Sequence, residues 1–185
     1  MNARLELTTP SNPMDFARMP EDLRTQVFAG VIHEALRIGR RPLIRGIGEA
    51  EFQRLLAIYF PGLLLINGTE SLAAPPAIDE YEDLVELLLA YRVWDDVASV
   101  WLVHAVATAA MGERHLWQDM GLPSRCQLSD TMTTHFPELA AKNVGDMKWK
   151  KFFYRQLCEQ AGVPICKSPH CAECCDYPIC FGLEV

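Results

Sequence analysis

The sequence predicts an all-α fold, with a helical domain followed by an irregular, cysteine-rich C-terminal loop. Apolar residues recur at helical spacing between residues 21 and 161, and strand-like patterning is confined to a weak run at Leu63–Ile66. Half of the 185 residues are hydrophobic, which is enough to bury a core without disulfides or metals. We therefore predict a mobile N-terminal tail over residues 1–20, a helical domain over 21–161 and a cysteine-rich segment over 162–185.

Four helices are predicted in the first part of the helical domain. The first starts at Glu21 and Asp22, because carboxylates suit the positive end of a helix dipole, and Gly39 ends it. A loop follows to Gly48. The next three helices are predicted at residues 50–59, 79–91 and 94–111. The last of them is apolar on nearly every side, so it should run through the centre of the domain.

Shorter elements are predicted after the central helix. Residues 115–120 should form a short turn, and helices are predicted at residues 124–134, 137–142 and 147–160. After Gly162, Pro164, Pro169 and Pro178 are expected to prevent regular structure, and the segment has too few aliphatic residues for a core of its own. A bound metal would supply the folding free energy that this segment lacks.

Composition and charge exclude two classes of partner. The formal net charge is −7, whereas binding to nucleic acid requires cations that neutralise phosphates. The longest apolar stretch, Val97–Met111, is shorter than the roughly 20 residues that span a bilayer. No signal peptide is visible at the N-terminus. We expect a cytoplasmic protein that binds neither nucleic acid nor membrane.

Five of the seven cysteines fall between Cys166 and Cys180, where four of them have the spacing C-x4-C-x2-C-x5-C. Cysteines this close together can direct their thiolates at one metal centre, and soft thiolate ligands select zinc or iron–sulfur clusters. The first three cysteines match the spacing of plant-type iron–sulfur proteins. A structural zinc site with four cysteine ligands is the alternative, although only one C-x2-C pair is present. Cys175 adjoins Cys174 and is interpreted as a spare thiol.

The C-terminal part of the chain resembles the NifQ family. The residues that carry the resemblance are His115–Leu122, His135–Pro137, Asp146–Cys158 and Cys166–Gly182, which include the whole C-x4-C-x2-C-x5-C pattern.

The resemblance implies a carrier of a molybdenum–iron–sulfur cluster rather than an enzyme. Its cluster ligands would be Cys166, Cys171, Cys174 and Cys180, and molybdate would be the source of the molybdenum. The metal would be delivered for assembly of the nitrogenase iron–molybdenum cofactor (FeMo-cofactor), with the scaffold NifEN and the iron protein NifH as partners in nitrogen fixation.

The helix before the cysteines has two distinct faces. Trp149, Phe153 and Leu157 form an apolar stripe. A basic stripe consists of Lys148, Lys151 and Arg155. A cluster held by thiolates is usually an anion, as is molybdate, so the basic stripe is a candidate for anion or partner contacts. An ordinary solvated surface is the alternative interpretation.

Among the histidines, only His170 lies inside the cysteine loop, and it is the candidate for an additional metal ligand. His104 is expected to be a hydrogen-bonded core residue, and the arginines of residues 37–45 a solvated loop. Two other functions stay open: a helical interaction module stabilised by zinc, and a small iron–sulfur protein for electron transfer.

Overall fold

The structure is a computed structural model that describes residues 12–69, 80–162 and 177–184. A 3₁₀ helix, Pro13–Phe16, precedes nine α-helices in these ranges, and none of the described residues forms a strand. The helices are α1 Leu23–Ile38, α2 Glu49–Tyr59, α3 Tyr81–Tyr91, α4 Val97–Ala110, α5 Leu116–Asp119, α6 Arg125–His135, α7 Pro137–Ala141, α8 Trp149–Gln160 and α9 Tyr177–Phe181. The all-α prediction is confirmed for these residues.

Local capping residues set the helix ends. Asp22 Oδ2 accepts a hydrogen bond from the Thr25 amide at 2.8 Å, so α1 begins one residue after it, and Gly39 closes α1 at a φ of +71°. Helix α4 begins at Val97, three residues later than predicted. The reason is that Asp96 is its N-cap and accepts a hydrogen bond from the Ser99 amide at 2.6 Å.

Helix α4 forms the centre of the fold. It packs against α1 and α3, and ten of its fourteen residues are buried, among them Trp101 and Leu102. An apolar face of α3 is also buried; it consists of Leu84, Leu87 and Leu88. Among the described residues, no helix is long and apolar enough to cross a membrane.

A close contact between two backbones positions the turn that contains α5. A Cβ atom added at Gly30 of α1 would lie 2.1 Å from the Met120 carbonyl oxygen. Gly121 has a φ of +63°, and a Cβ there would lie 2.7 Å from the Gly30 Cα. Glycine is therefore required at both positions, 30 and 121, and the close contact holds α5 directly against α1.

Residues 12–20 are packed on the helical domain, which the prediction of a tail over residues 1–20 did not anticipate. Met14 and Phe16 contact the core, and the Arg18 amide donates to the Tyr59 carbonyl at 2.9 Å. Residues 1–11 lie outside the described residues.

The prediction that Pro178 prevents regular structure was wrong. Pro178 is the second residue of α9, and the Gly182 amide donates to its carbonyl at 2.9 Å. The first turn of a helix tolerates proline, because the amide hydrogens there have no partner within the helix.

Candidate metal centre

One predicted cluster ligand, Cys180, is among the described residues. The other three, Cys166, Cys171 and Cys174, lie in residues 163–176, which are outside the described part, as does His170. Within residues 12–69, 80–162 and 177–184, no group of three or more His, Cys, Asp or Glu side chains is placed to hold a metal ion.

Cys180 lies in α9, which is bound to the beginning of α8 through the backbone. The Lys148 amide donates a hydrogen bond to the Cys180 carbonyl at 2.8 Å, and Lys148 is the N-cap residue of α8. Lys148 Nζ lies 3.5 Å from the Pro178 carbonyl. The Cys180 side chain is half-buried and contacts the edge of the core. The Cys180 carbonyl oxygen is therefore held against the start of α8.

Phe181 is the aromatic contact of the docked segment, the name we use for residues 177–184. Its ring stacks on Tyr177 with centroids 4.6 Å apart. On its other side Phe181 meets Gly145, where an added Cβ would lie 3.0 Å from Cε1 of the ring. A Cβ at position 145 would therefore require the Phe181 ring to shift by a few tenths of an ångström.

Glu184 provides a polar contact four residues after Cys180. Its side chain is only 4% exposed, with Oε1 at 3.7 Å from His115 Nδ1 and Oε2 at 4.0 Å from Arg125 Nε. Arg125 Nη2 also donates to both the carbonyl and the side chain of Asp146 at 2.8 Å. Glu184 therefore lies within ion-pair distance of the starts of α5 and α6, although its Oε2 and Arg125 Nε are buried without a hydrogen-bond partner among the described residues.

That loop, residues 142–148, is held in one shape by its own side chains. Asn143 Oδ1 accepts from the Met147 amide at 2.8 Å, and Asn143 Nδ2 donates to the Met147 carbonyl at 2.9 Å. Asp146 has a φ of +51°, a left-handed conformation that Asp and Asn tolerate better than most residues. The surface on which α9 rests is therefore preformed.

The predicted faces of α8 have different environments. In the apolar stripe, Trp149 and Phe153 are buried and Leu157 contacts the core. In the basic stripe, Lys148 is half-buried, whereas Lys151 and Arg155 are exposed. Arg155 Nε forms an ion pair with Glu159 Oε1 at 2.9 Å, which offsets its charge.

Lys150 has a role that the sequence analysis missed. Its Nζ donates to Asp119 Oδ2 at 2.6 Å and to the Gly112 carbonyl at 2.7 Å. Asp119 also accepts from the Arg114 amide at 3.0 Å. Burial lowers the pKa of Lys150, and Asp119 opposes that shift. The residues that carry the family resemblance therefore include an ion pair that fastens α8 to α5.

Three histidines outside the cysteine loop, His104, His115 and His135, take part in the packing or capping of the helical body. The His104 Nδ1 is 2.7 Å from the Tyr81 hydroxyl, and burial lowers the His104 pKa. His135 is buried at the end of α6 under the edge of Trp94, and burial lowers its pKa to about 4. His115 is the N-cap of α5, and its amide donates to Gln118 Oε1 at 3.2 Å.

The arginines of the loop before α2 are only partly solvated. Arg37 pairs with Glu34, whose pKa is lowered mainly by this hydrogen bond. Arg40 is half-buried, and burial lowers its pKa. The Arg45 guanidinium lies 4.1 Å from the centroid of the Tyr81 ring. We predicted a solvated loop here, but Arg40 is half-buried and Arg45 packs on the Tyr81 ring.

An open groove lies beside the docked segment. Its volume is about 470 Å³, and it is bounded by the loop 142–147, the exposed side of α8 and the Phe181 ring. Phe152 contributes to its floor, while Lys142 and Arg155 lie at its rim.

Comparison with known proteins identifies relatives over most of the chain. The family model NifQ matches residues 26–182. Protein NifQ of Azotobacter vinelandii is 49% identical over 107 residues, which are 58% of this chain and 55% of the relative. The NifQ homolog of Sinorhizobium fredii is 37% identical over 138 residues, 74% of this chain and 60% of the relative. Protein NifQ of Rhodobacter capsulatus is 38% identical over 138 residues, 74% of this chain and 75% of the relative.

The chain thus spans little more than half the length of the first two of these relatives. No solved structure matches it.

Proposed function

The chain belongs to the NifQ family, and on this premise we propose that it carries molybdenum on a molybdenum–iron–sulfur cluster and donates it for assembly of the nitrogenase iron–molybdenum cofactor. The proposed cluster ligands are Cys166, Cys171, Cys174 and Cys180. The observation that carries the proposal is the location of this pattern. All four cysteines fall within the matched residues 26–182, and the last is docked on the helical body.

The donor set suits such a cluster. Thiolates are soft ligands that favour iron–sulfur centres, and when bound the cluster supplies a soft metal site at which molybdenum can be held. Cys180 lies beside the N-terminal end of α8, where the helix dipole and the Lys148 side chain favour a negative charge. The chain's contribution at this point is to fix one ligand and to lower the energy of an anion next to it.

Lys148 and Lys151 are better placed than Arg155 to attract molybdate or an anionic cluster. Lys151 is exposed and makes no hydrogen bond or ion pair with another described residue, whereas Arg155 is bound to Glu159. We therefore assign anion contacts to the first two cations. His170 remains the proposed additional ligand, because a donor must hold molybdenum with at least one group that exchanges more easily than thiolate.

The proposed partners are the scaffold NifEN and the iron protein NifH, with molybdate as the molybdenum source. The chain would act in the cytoplasm as a carrier rather than as an enzyme. A zinc-stabilised interaction module and an iron–sulfur electron-transfer protein are the competing functions, since both use four cysteine thiolates.

Metal analysis of the anaerobically purified protein separates the three functions. We expect molybdenum together with iron and acid-labile sulfide. Zinc alone would favour the interaction module, and iron with sulfide but no molybdenum after growth on molybdate would favour electron transfer. Delivery is then assayed by transfer of the molybdenum to NifEN in the presence of NifH.

Alanine variants locate the ligands, and the chain supplies matched controls. Replacing Cys166, Cys171, Cys174 or Cys180 should abolish stable cluster binding. The exposed Cys126 and the half-buried Cys158 lie on α6 and α8, and their alanine variants should retain the metals. Cys175→Ala should also keep most of the iron. A protein that loses its iron through Cys175→Ala but not through Cys174→Ala would place the third ligand one residue later.

A further inference from the structure

Two exposed apolar side chains flank the helix that carries Cys180. Val144 and Leu183 are each 92% exposed, the highest exposure among the large hydrophobic residues of the described ranges. Val144 precedes Gly145, on which the Phe181 ring rests, and Leu183 follows that ring by two residues. Ile179, beside Cys180, is 55% exposed. Ile179 and Leu183 lie in the docked segment, and Val144 lines the groove together with the Phe181 ring. We call these three exposed residues the apolar patch.

Cations border the patch in a protein that is otherwise acidic. Residues 142–155 contain five Lys and Arg side chains and one carboxylate, a local charge of +4, while the whole chain carries −7. Lys150 and Arg155 are paired with acids. Lys142, Lys148 and Lys151 have no carboxylate partner among the described residues. Lys142 instead contacts the hydroxyl and ring of Tyr91, and Lys148 reaches the Pro178 carbonyl.

From this combination we propose that Val144, Ile179 and Leu183, with Lys142, Lys148 and Lys151 at their border, form the docking surface for the acceptor protein. The acceptor would present an apolar contact bordered by carboxylates. The proposal rests on the donor function above, because a metal passed between two proteins without release into water requires contact at the cluster ligands. The surface lies where that contact must occur, around Cys180 and beside the open groove.

Charge argues against a second copy of this chain as the occupant. A symmetric dimer through this surface would bring the same three lysines of both copies together, and like charges at an interface repel. An acidic partner instead gains attraction from these cations, whereas the net charge of the whole chain is −7. Charge complementarity therefore favours an acidic partner over a second copy at this surface.

The test is the affinity of the metal-loaded chain for purified NifEN, with and without NifH, measured by titration under anaerobic conditions. We expect V144E/L183E to weaken binding at least about tenfold, because it places two carboxylates in an apolar contact that faces an acidic partner. The matched control is I38E/I58E, which alters two exposed isoleucines on α1 and α2 and should bind like the wild type. Iron, sulfide and molybdenum contents should be unchanged in both variants.

Each outcome bears on this surface separately from the donor function. Any of three results would overturn the docking surface. V144E/L183E could bind as tightly as the wild type, both double variants could lose affinity equally, or the wild type could show no measurable binding. A wild-type dimer that V144E/L183E dissociates, detected by light scattering, would show that the occupant is a second copy. A chain that binds the acceptor through this surface but contains no molybdenum would overturn the donor function and leave the surface standing.

Discussion

The helical body and the docked segment are stabilised in different ways. The body, residues 12–69 and 80–162, buries a continuous set of apolar side chains around α4. Helix α9 has no fully buried residue. Its contacts with the body include the Lys148–Cys180 backbone hydrogen bond and the Phe181 ring, and Glu184 adds ion-pair contacts just after the helix. Burial of apolar area is the main source of folding free energy, so the body should be stable on its own. The docked segment, which carries the proposed ligand Cys180, buries much less apolar area and should be able to rearrange without unfolding the protein.

The largest expected effect comes from removing a core aromatic ring. Phe153 is 2% exposed and packs beside Trp149 and Phe152. Phe153→Ala should lower the free energy of unfolding by about 3–5 kcal/mol, because it creates a cavity in a packed core. Chemical denaturation followed by circular dichroism measures this. Phe181→Ala is the matched variant in the docked segment and should cost less than about 1 kcal/mol. Similar losses in the two variants would show that the segment belongs to the core.

The second effect is a pH dependence that arises within the body. The His135 pKa is lowered from 6.5 to about 4 in the folded state, mainly by burial. The unfolded state therefore binds a proton between pH 6.5 and 4 that the folded state does not, so stability present above pH 6.5 is lost as the pH falls. The shift corresponds to a loss on the order of 3 kcal/mol across this range.

Chemical denaturation of the His135→Gln variant at several pH values tests whether His135 causes this pH dependence of stability. Its stability should vary less with pH between 6.5 and 4 than that of the wild type, whatever its absolute value. His33→Gln is the control, since the His33 side chain on α1 is only half-buried. An unchanged pH slope in His135→Gln would assign the acid sensitivity to other groups.

A smaller effect on stability, but a clear local one, is expected for Glu184→Gln. The change removes the negative charge next to Arg125 and His115, so the docked segment should open more often. The Lys148 amide, which donates to the Cys180 carbonyl, should exchange its hydrogen faster, while amides within α4 exchange as before. Asp130→Asn, an exposed acid on α6, is the control. Unaltered exchange at Lys148 would show that Glu184 does not hold the segment.

Replacing Lys148, Lys151 and Arg155 together by Gln should change the stability of the body by less than about 0.5 kcal/mol, because Lys151 and Arg155 are exposed and the side chain of the half-buried Lys148 contacts the docked segment. Molybdenum loading or transfer should nevertheless weaken at low salt. The difference from wild type should shrink as the ionic strength rises, since salt screens the attraction. Loading and transfer that equal the wild type at low salt would mean that the basic stripe is only a solvated surface.

Removal of the proposed metal cluster should have the smallest effect on the body. Chelation under reducing conditions is expected to leave most of the helical circular dichroism intact, because the apolar core does not depend on the cysteines. Mild proteolysis should then cut first between Gly162 and the C-terminus. Cooperative loss of the helical signal on chelation would show that the cluster stabilises the whole molecule.

The sequence predicted the helices well because their signals are local. The N-cap Asp22, the stop at Gly39 and the apolar stripe of α8 act within a few residues of one another. The start of α4 was misplaced by three residues because apolar character at Trp94 suggested a helix, whereas the Asp96 cap decides where it begins.

The candidate site was only partly predictable for the opposite reason. Lys150 pairs with Asp119, Glu184 lies between His115 and Arg125, and Arg114 contacts Glu34 across 80 positions of the chain. No local pattern distinguishes these charged residues from solvated ones, so sequence analysis assigned them no role.

The sequence by itself determined the all-α class, the approximate helix ends and the cysteine pattern on which the proposed ligands rest. Periodicity, capping and ligand spacing each involve residues that lie close together in the chain, so they can be recognised without the structure. Only the tertiary structure decided that Lys150 points to an acid, that Pro178 lies within a helix, and that Cys180 is bound to the start of α8. These features depend on which distant segments meet when the core closes, and that is set by packing in three dimensions rather than by neighbouring residues.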